Sequence, residues 1–493
     1  MYAYLLLLYS YDKAFWFEVR LIYCLWIPIL LLPALLPRLR GEKTELKLML
    51  LFAGWVILTR ILCWNVKELI EQLRSGDFSF SADALLIASS VVTYVPLASC
   101  LILRGRDRDR FLNRIAIVSV SFSTIVGLIC LYGVLYKTDM LTPFRERYLC
   151  MFKSARLYPL GQNPNVGCMW FFLGFFYTAY LFCCTKKRTC RAVLVFAAFL
   201  NYLMLAMTFS RNGKLSFSVC TGLLVLVLVL RRLSPKTVGK KLLCTVLVLG
   251  LTVPLAYGSF RLAASGVESA SSAMIQHRNN AQTQPEGETN GAGTEMTGSA
   301  YHAAPAVLRE KGSAHADAQA RTVSQILRTD DGQPFAYDED DRGFRDSGRI
   351  PVYKSAIYTL QQDPIRLLIG CRGADVMKYS DEVLPVPMPH FHNAFLQVLC
   401  TTGVVGLVLV LIFCVLLGRR VIRVLYSDAP VTVSILALML VGIFSYYLLE
   451  SGLFLSSNIV CFTAYIAAGV VIDYTCEHGE TTPAAAACTG KNA

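Results

Sequence analysis

Two basic side chains, Arg211 and Lys214, lie in a very short polar link between two long apolar runs. The link leaves almost no room for a loop, so both cations are expected at the outer edge of a membrane's hydrocarbon region. A charge held there is costly, which makes it a candidate functional group. The alternative is a snorkelling pair that only anchors the helix ends.

A histidine, His392, stands immediately before a later apolar run and is followed by Asn393 and Gln397. Histidine exchanges protons near neutral pH, so it can act as a general base at the boundary between water and membrane. The two amides can orient a sugar or the imidazole. Two alternatives are that His392 caps the helix and packs, or that it shares a metal with His390.

Two asparagines, Asn163 and Asn165, flank Pro164 just before another apolar run. Asparagine and proline suit the start of a helix, whose exposed N–H groups attract anions. Both asparagines are therefore candidate substrate-binding residues, with a plain helix cap as the alternative. The cysteines and histidines lack the spacing of a zinc site, and no P-loop is present, so we predict neither a metal nor another cofactor.

The composition favours a membrane protein. Hydrophobic residues make up 55% of the 493-residue chain and charged residues only 16%, against roughly 25% charged residues in a typical soluble domain. The net charge of +13 comes mostly from short links between apolar runs, as in cytoplasmic loops. A soluble globule, a disordered chain and a nucleic-acid-binding protein are therefore excluded.

Apolar runs long enough to cross a membrane predict an all-α polytopic fold with about eleven transmembrane helices. The runs lie near residues 17–37, 46–64, 84–103, 115–136, 166–184, 192–209, 213–230, 242–259, 394–417, 431–449 and 457–472. Basic links alternate with mixed or acidic links, which places the C-terminus inside. Residues 1–9 are apolar but too short to span, so they are either the stump of a twelfth helix or an interfacial segment.

This pattern predicts four regions along the chain. They are an N-terminal bundle of about eight spans, an extracytoplasmic loop, a C-terminal set of spans and a cytoplasmic tail, at residues 1–259, 260–393, 394–472 and 473–493. Within the loop, residues 266–325 are low in complexity and are predicted to be a disordered insertion. Residues 345–393 are predicted to be ordered, with an amphipathic helix that packs through Ile350, Tyr353, Ile357 and Leu360.

Four segments, in this order, resemble motifs of the O-antigen ligase and O-antigen polymerase family of bacterial membrane proteins. The segment GQNPN at residues 161–165 is similar to the family's NPN segment, and TFSRNG at 208–213 is similar to its T-x-S-R-x-G junction. Residues 347–370 resemble its SGR…W…A…PLLG stretch, with Arg349 in the SGR triplet and Tyr353 at the usual tryptophan. The segment HNAFLQ at 392–397 is similar to its HNxxLQ motif.

The resemblance implies a metal-independent glycosyltransferase of the membrane-embedded GT-C type. Its donor would be a glycan on undecaprenyl pyrophosphate, and its acceptor a hydroxyl of a glycan, lipid or protein. The implied place is the bacterial cytoplasmic (inner) membrane, with the active site on the extracytoplasmic face, in cell-envelope polysaccharide biosynthesis. Arg211 and Arg349 would hold the pyrophosphate, and His392 would activate the acceptor.

A ligase that transfers a finished glycan is the first interpretation, and a polymerase that extends the repeat unit is the second. A different class is a flippase or transporter, which would use the same cations to bind a lipid phosphate without breaking a bond. A third is an inert scaffold for envelope assembly. The polar groups cluster at the outer face and no internal repeat is evident, which favours interfacial chemistry over transport.

Overall fold

The computed structural model describes residues 44–63, 105–136, 140–141, 148–153, 156–159, 163–233, 237–282, 364–371, 391–450, 452–455 and 459–478, with single positions at 97, 100, 101, 103, 352, 353, 356, 357 and 360. The helices are α1 Thr44–Cys63, α2 Gly105–Tyr136, α3 Pro164–Cys184, α4 Arg188–Met207, α5 Arg211–Leu233, α6 Val238–Gln282, α7 Pro364–Ile369, α8 Ala394–Leu425, α9 Val431–Tyr447 and α10 Ile459–His478. The predicted all-α polytopic membrane fold is confirmed.

Seven of these helices, α2 to α6, α8 and α10, contain a stretch that is long and apolar enough to cross a membrane. The apolar helix α9 is shorter, and both α1 and α9 coincide with predicted runs. The predicted run at 17–37 and most of the run at 84–103 lie outside the described residues. The number of about eleven spans therefore stays a prediction.

Helices α3, α9 and α10 form the centre of the bundle, whereas α6 lies at its edge. The central helices are apolar on all sides and bury most of their residues, as expected for helices surrounded by others. Close approach depends on small residues: a Cβ on Gly442 of α9 would lie 2.2 Å from Cζ of Phe172 on α3. In contrast, α6 exposes leucines such as Leu242 and Leu251, which suit contact with lipid.

Buried ion pairs join helices at the predicted cytoplasmic end. Arg420 of α8 pairs with Glu45 of α1 and also donates to Thr475 Oγ1 of α10 at 2.8 Å. Arg108 of α2 pairs with Asp473 of α10. Each buried carboxylate thus has a cationic partner, as burial of a charge requires. The pair of Arg420 and Glu45 fixes one end of the contact between α1 and α8.

A small antiparallel sheet lies in the link before α3 and adds to the predicted all-helical architecture. Its strands β1 Met140–Leu141, β2 Tyr148–Lys153 and β3 Arg156–Pro159 are paired in the order β1-β2-β3. Pro159 packs so tightly on Gly167 of α3 that a Cβ there would lie 2.2 Å from the proline Cγ. The sheet is thereby fixed to α3, next to the polar residues described below.

Helix α6 continues to Gln282, well beyond the predicted end of its span. The interpretation of residues 266–325 as disordered is therefore wrong for residues 266–282, while the rest lies outside the described residues. Alanine, serine, glutamate and methionine in this extension tolerate a helix. Val267 is buried, and Ser271 Oγ donates to the carbonyl of Leu135 in α2 at 2.9 Å, so docking on α2 orders the extension.

The buried face of the predicted amphipathic helix differs from the expected one. Val352, Ala356 and Leu360 are helical and almost fully buried, whereas Ile357 is half exposed. The buried trio packs in one cluster with the loop residue Phe391. Of the predicted packing residues, Leu360 is buried and Tyr353 packs against this cluster, whereas Ile357 does not. Ile350 lies outside the described residues.

Candidate active site

Three helices begin at the predicted outer face with a polar capping residue: Asn163 for α3, Ser210 for α5 and Asn393 for α8. Asn163 Oδ1 accepts a hydrogen bond from the N–H of Asn165 at 2.8 Å, and Ser210 Oγ accepts one from the N–H of Gly213 at 3.2 Å. Asn393 Oδ1 accepts two from the first turn of α8, at 3.0 and 2.9 Å. Each of these ends carries the partial positive charge of a helix N-terminus.

The carboxylate of Glu450, just beyond α9, joins these three helix starts. Its Oε1 accepts from Asn165 Nδ2 at 2.9 Å and from Asn212 Nδ2 at 3.5 Å. Its Oε2 lies 3.2 Å from Nδ1 of His392. Ser210 Oγ donates to Asn165 Oδ1 at 2.9 Å and closes the network. The three helix starts therefore meet around one carboxylate whose side chain is only 11% exposed.

The backbone is strained next to two of the capping residues. His392 has φ +49° and Phe209 has φ +50°, in the left-handed region that costs a residue with a bulky side chain of order 1–3 kcal/mol. Hydrogen bonds fix the strained histidine: the hydroxyl of Tyr353 donates to its carbonyl at 3.3 Å, and Gln397 Oε1 accepts from the N–H of Phe391 at 3.2 Å. Strain of this kind concentrates at functional sites.

The contact between His392 and Glu450 orients the imidazole. A carboxylate at Nδ1 favours the tautomer that carries its proton on Nδ1, which makes Nε2 the nitrogen with the basic lone pair. The histidine side chain remains 25% exposed. The pair therefore has the geometry of a general base with an orienting carboxylate.

Three cations lie close to the start of α5. Arg211 is its first residue and is exposed. Lys214 Nζ lies 4.5 Å from the ring centroid of Phe209 and 5.9 Å from that of Phe260. Arg156 of β3 donates to the carbonyl of Phe209 at 3.3 Å. Among the described residues, none of these cations is paired with a carboxylate, so together with the helix N-terminus they suit an anionic ligand.

Most of the predicted site residues are brought together, namely His392, Arg211, Lys214, Asn393, Gln397, Asn163 and Asn165. Arg349 lies outside the described residues, so its role stays a prediction. The alternative in which His392 caps the helix is wrong, because Asn393 is the cap and also donates to the carbonyl of Leu448 at 2.9 Å. Over the described residues, no group of three or more His, Cys, Asp or Glu side chains is arranged to hold a metal ion.

Sequence reasoning missed Glu450, Asn212 and Arg156 as site residues. Glu450 is an acid at the outer end of an apolar run, so the cost of a charge at the membrane edge was a usable signal. Asn212 lies in the same polar link as Arg211, but the sequence prediction selected only the charged residues of that link. Arg156 lies in a link without helical or strand periodicity, and only the sheet brings it to the site.

Comparison with known proteins gives a family match over part of the chain. No curated protein matches the chain. The family model described as O-antigen ligase matches residues 194–411, a segment that contains both Arg211 and His392. The matched segment is less than half of the chain, and it supports an assignment to the O-antigen ligase and polymerase family.

Proposed function

We propose that the chain transfers a glycan from an undecaprenyl pyrophosphate carrier to an acceptor hydroxyl at the extracytoplasmic face of the bacterial cytoplasmic membrane. The observation that carries this proposal is the contact of His392 with Glu450 where three helix starts meet. A base (His392), an orienting carboxylate (Glu450) and the cations near the start of α5 lie together at the predicted outer face. A glycosyl transfer from a lipid pyrophosphate needs this set of groups.

The leaving group is the first problem of such a transfer. As the bond between the anomeric carbon and the phosphate oxygen breaks, negative charge accumulates on the pyrophosphate. Arg211 and Lys214, together with the N-terminus of α5, stabilise this charge because they are already in place next to the leaving group. Arg156, which donates to the carbonyl of Phe209, is a third cation for the same anion. Arg349 would add a fourth.

The acceptor is the second problem, since a hydroxyl is a weak nucleophile. Nε2 of His392 takes the hydroxyl proton while the acceptor oxygen forms the new bond to the anomeric carbon. Glu450 stabilises the imidazolium that results. Undecaprenyl pyrophosphate leaves with the electron pair of the broken bond, and the imidazolium later releases its proton to water. No metal takes part in this scheme.

Ligase and polymerase are distinguished by the acceptor and not by these groups. A ligase transfers the finished glycan to a different lipid or protein, whereas a polymerase transfers it to the sugar of a second lipid-linked unit. We propose the ligase reaction as the first interpretation, because the family match carries that description. The polymerase reaction uses the same base and the same cations.

The proposal is tested by transfer in proteoliposomes that contain the purified chain, an undecaprenyl-pyrophosphate-linked oligosaccharide and a glycolipid acceptor, with EDTA present. Mass spectrometry is expected to detect the acceptor enlarged by one glycan, together with free undecaprenyl pyrophosphate. Lengthening of the donor would identify a polymerase. Movement of an intact donor across the bilayer, without a new glycosidic bond, would contradict the proposal and favour a flippase. Activity that disappears on adding EDTA would contradict the metal-free scheme.

Arg211→Ala is expected to weaken binding of undecaprenyl pyrophosphate about 10–100-fold, the usual worth of a charge-assisted hydrogen bond. Transfer should slow as well, because the same contact strengthens as the leaving group gains charge. Arg211→Lys should restore little if the guanidinium grips two oxygens. Arg188→Ala, at the exposed start of α4, is the matched control and should bind normally. Unchanged binding in Arg211→Ala would remove this residue from the anion site.

A further inference from the structure

Helix α8 is broken at Gly403, nine residues below its start. Gly403 has φ +69° and ψ −173°, which is not helical. The segment above the break, residues 394–402, is a half-helix about 13 Å long at 1.5 Å per residue. It begins directly after His392 and Asn393, so any shift of this half-helix moves the proposed base.

The break occurs where the outer loop packs on α8. A Cβ on Gly403 would lie 2.1 Å from the carbonyl oxygen of Leu368, and a Cβ on Gly370 would lie 2.4 Å from the carbonyl of Thr401. Both glycines have left-handed backbone. Only glycine permits this approach, so the segment 364–371 and the break in α8 are built as one contact between two backbones.

A helix end exposes carbonyls, and these are costly to leave unpaired within a membrane. Three successive carbonyls above the break receive donors from outside the helix. The carbonyl of Cys400 accepts from the N–H of Cys371 at 2.7 Å. The carbonyl of Thr401 accepts from Arg60 Nη2, and that of Thr402 accepts from Trp55 Nε1 at 2.8 Å.

Arg60 links all parts of this contact. It belongs to α1 and is fully buried. Its Nη2 bonds to α8, while its Nη1 donates to the carbonyl of Cys371 in the loop at 2.7 Å. One planar guanidinium therefore bridges the loop and the half-helix from a neighbouring span. A snorkelling side chain would instead extend to water, and Arg60 does not.

We propose that Arg60 is a positioning residue for the transferase site: it clamps the outer loop to the break in α8 and so fixes the half-helix that begins after His392. The expected effect on kcat rests on the proposed function, whereas the clamp itself does not. The upper end of the half-helix is held by Asn393 and by the contact of His392 with Glu450. Arg60 and Trp55 hold its lower end, and both anchors are needed for a fixed imidazole.

Two native thiols report on the clamp without any substrate. Cys371 and Cys400 are almost fully buried in it. In Arg60→Lys, a single ammonium cannot reach both carbonyls as a planar fork does, so local opening should expose both thiols. N-ethylmaleimide should label them about 10-fold faster than in the wild type, as measured by peptide mass spectrometry. Cys461, buried elsewhere, and the exposed Cys190 are internal controls whose rates should not change.

The kinetic test separates positioning from general loss of structure. In Arg60→Lys, kcat for transfer from the lipid-linked oligosaccharide should fall about 10–100-fold, since displacement of a catalytic group by 1 Å has effects of that size. KM for the donor should change less than kcat, because three of the four proposed anion-binding groups, Arg211, Lys214 and Arg156, lie on α5 and β3. Glu45→Gln is the matched control: it weakens the contact of α1 with α8 at the opposite end and should lower thermal stability without lowering kcat.

Each outcome decides the proposal. Unchanged labelling in Arg60→Lys, or equally fast labelling in Glu45→Gln, would overturn the clamp. Faster labelling with normal kcat would overturn the positioning role. Absence of transfer in the wild type would count against the proposed function, and the labelling would still decide the clamp. If Arg60→Lys does not fold, Trp55→Phe takes its place: it removes only the donor to Thr402 and should produce smaller changes in the same direction.

Discussion

His392→Ala is expected to reduce kcat for glycan transfer about 10²–10⁴-fold, the usual contribution of a general base. Binding of undecaprenyl pyrophosphate should stay close to that of the wild type, because the proposed anion contacts come from arginine and lysine side chains and not from His392. The protein should still insert and fold, since Asn393 and not His392 caps α8. Transfer in proteoliposomes and a separate equilibrium binding measurement give the two values.

The matched control for this variant is His478→Ala. His478 lies at the predicted cytoplasmic end of α10, where it stacks on Tyr474, so its loss should leave transfer intact. Full activity in His392→Ala would eliminate the base from the mechanism. Equal loss of binding and kcat would show that His392 acts on the structure of the site as a whole and not on the acceptor.

The spans could be predicted from sequence because their cause is local. A long apolar run is driven out of water whichever segments surround it. Runs such as 115–136 and 166–184 therefore correspond to α2 and α3. The sheet and the helical extension at 266–282 could not be predicted in this way. Both are stabilised by contacts with distant segments, such as Pro159 with Gly167 and Ser271 with Leu135.

The site residues show the same difference between local causes and contacts with distant segments. Arg211, Lys214 and His392 stand out in sequence because a polar group next to an apolar run is costly and has few structural reasons. The links between them are not visible in sequence, because Glu450 is separated from Asn165 by 285 positions and from His392 by 58. Glu450 also lies beyond the segment that the family match covers. Only the folded chain identifies it as the partner of the histidine.

The role of Arg60 could not be predicted from the sequence. A single arginine near the end of a span usually extends to the interface, and nothing nearby in sequence distinguishes this one. Its partners are backbone carbonyls of Cys371 and Thr401, which exist as acceptors only because α8 is broken at Gly403. The break at Gly403 explains why Arg60 is buried, because it frees a carbonyl to which Arg60 donates. Neither feature could be predicted from the other before the fold was known.

The carboxylate of Glu450 gives the second large expected effect. Glu450→Gln keeps the size of the side chain and one carbonyl oxygen for Asn165 or Asn212, but it removes the negative charge beside the imidazole. We expect kcat to fall about 10²-fold, because the imidazolium formed during transfer loses its counter-charge and the ring loses its fixed tautomer. Glu450→Asp, which keeps the charge on a shorter side chain, should recover part of this loss.

The affinity for the donor should change in the opposite direction in this variant. A carboxylate near the site repels an anionic pyrophosphate, so its removal should leave binding of undecaprenyl pyrophosphate unchanged or tighter while kcat falls. General damage to the site would instead weaken binding and kcat together. Equilibrium binding and initial transfer rates of Glu450→Gln, Glu450→Asp and the wild type distinguish the two cases. Weaker binding in Glu450→Gln would show that the carboxylate chiefly holds the three helix starts in place, and would leave His392 without the partner on which the proposed base depends.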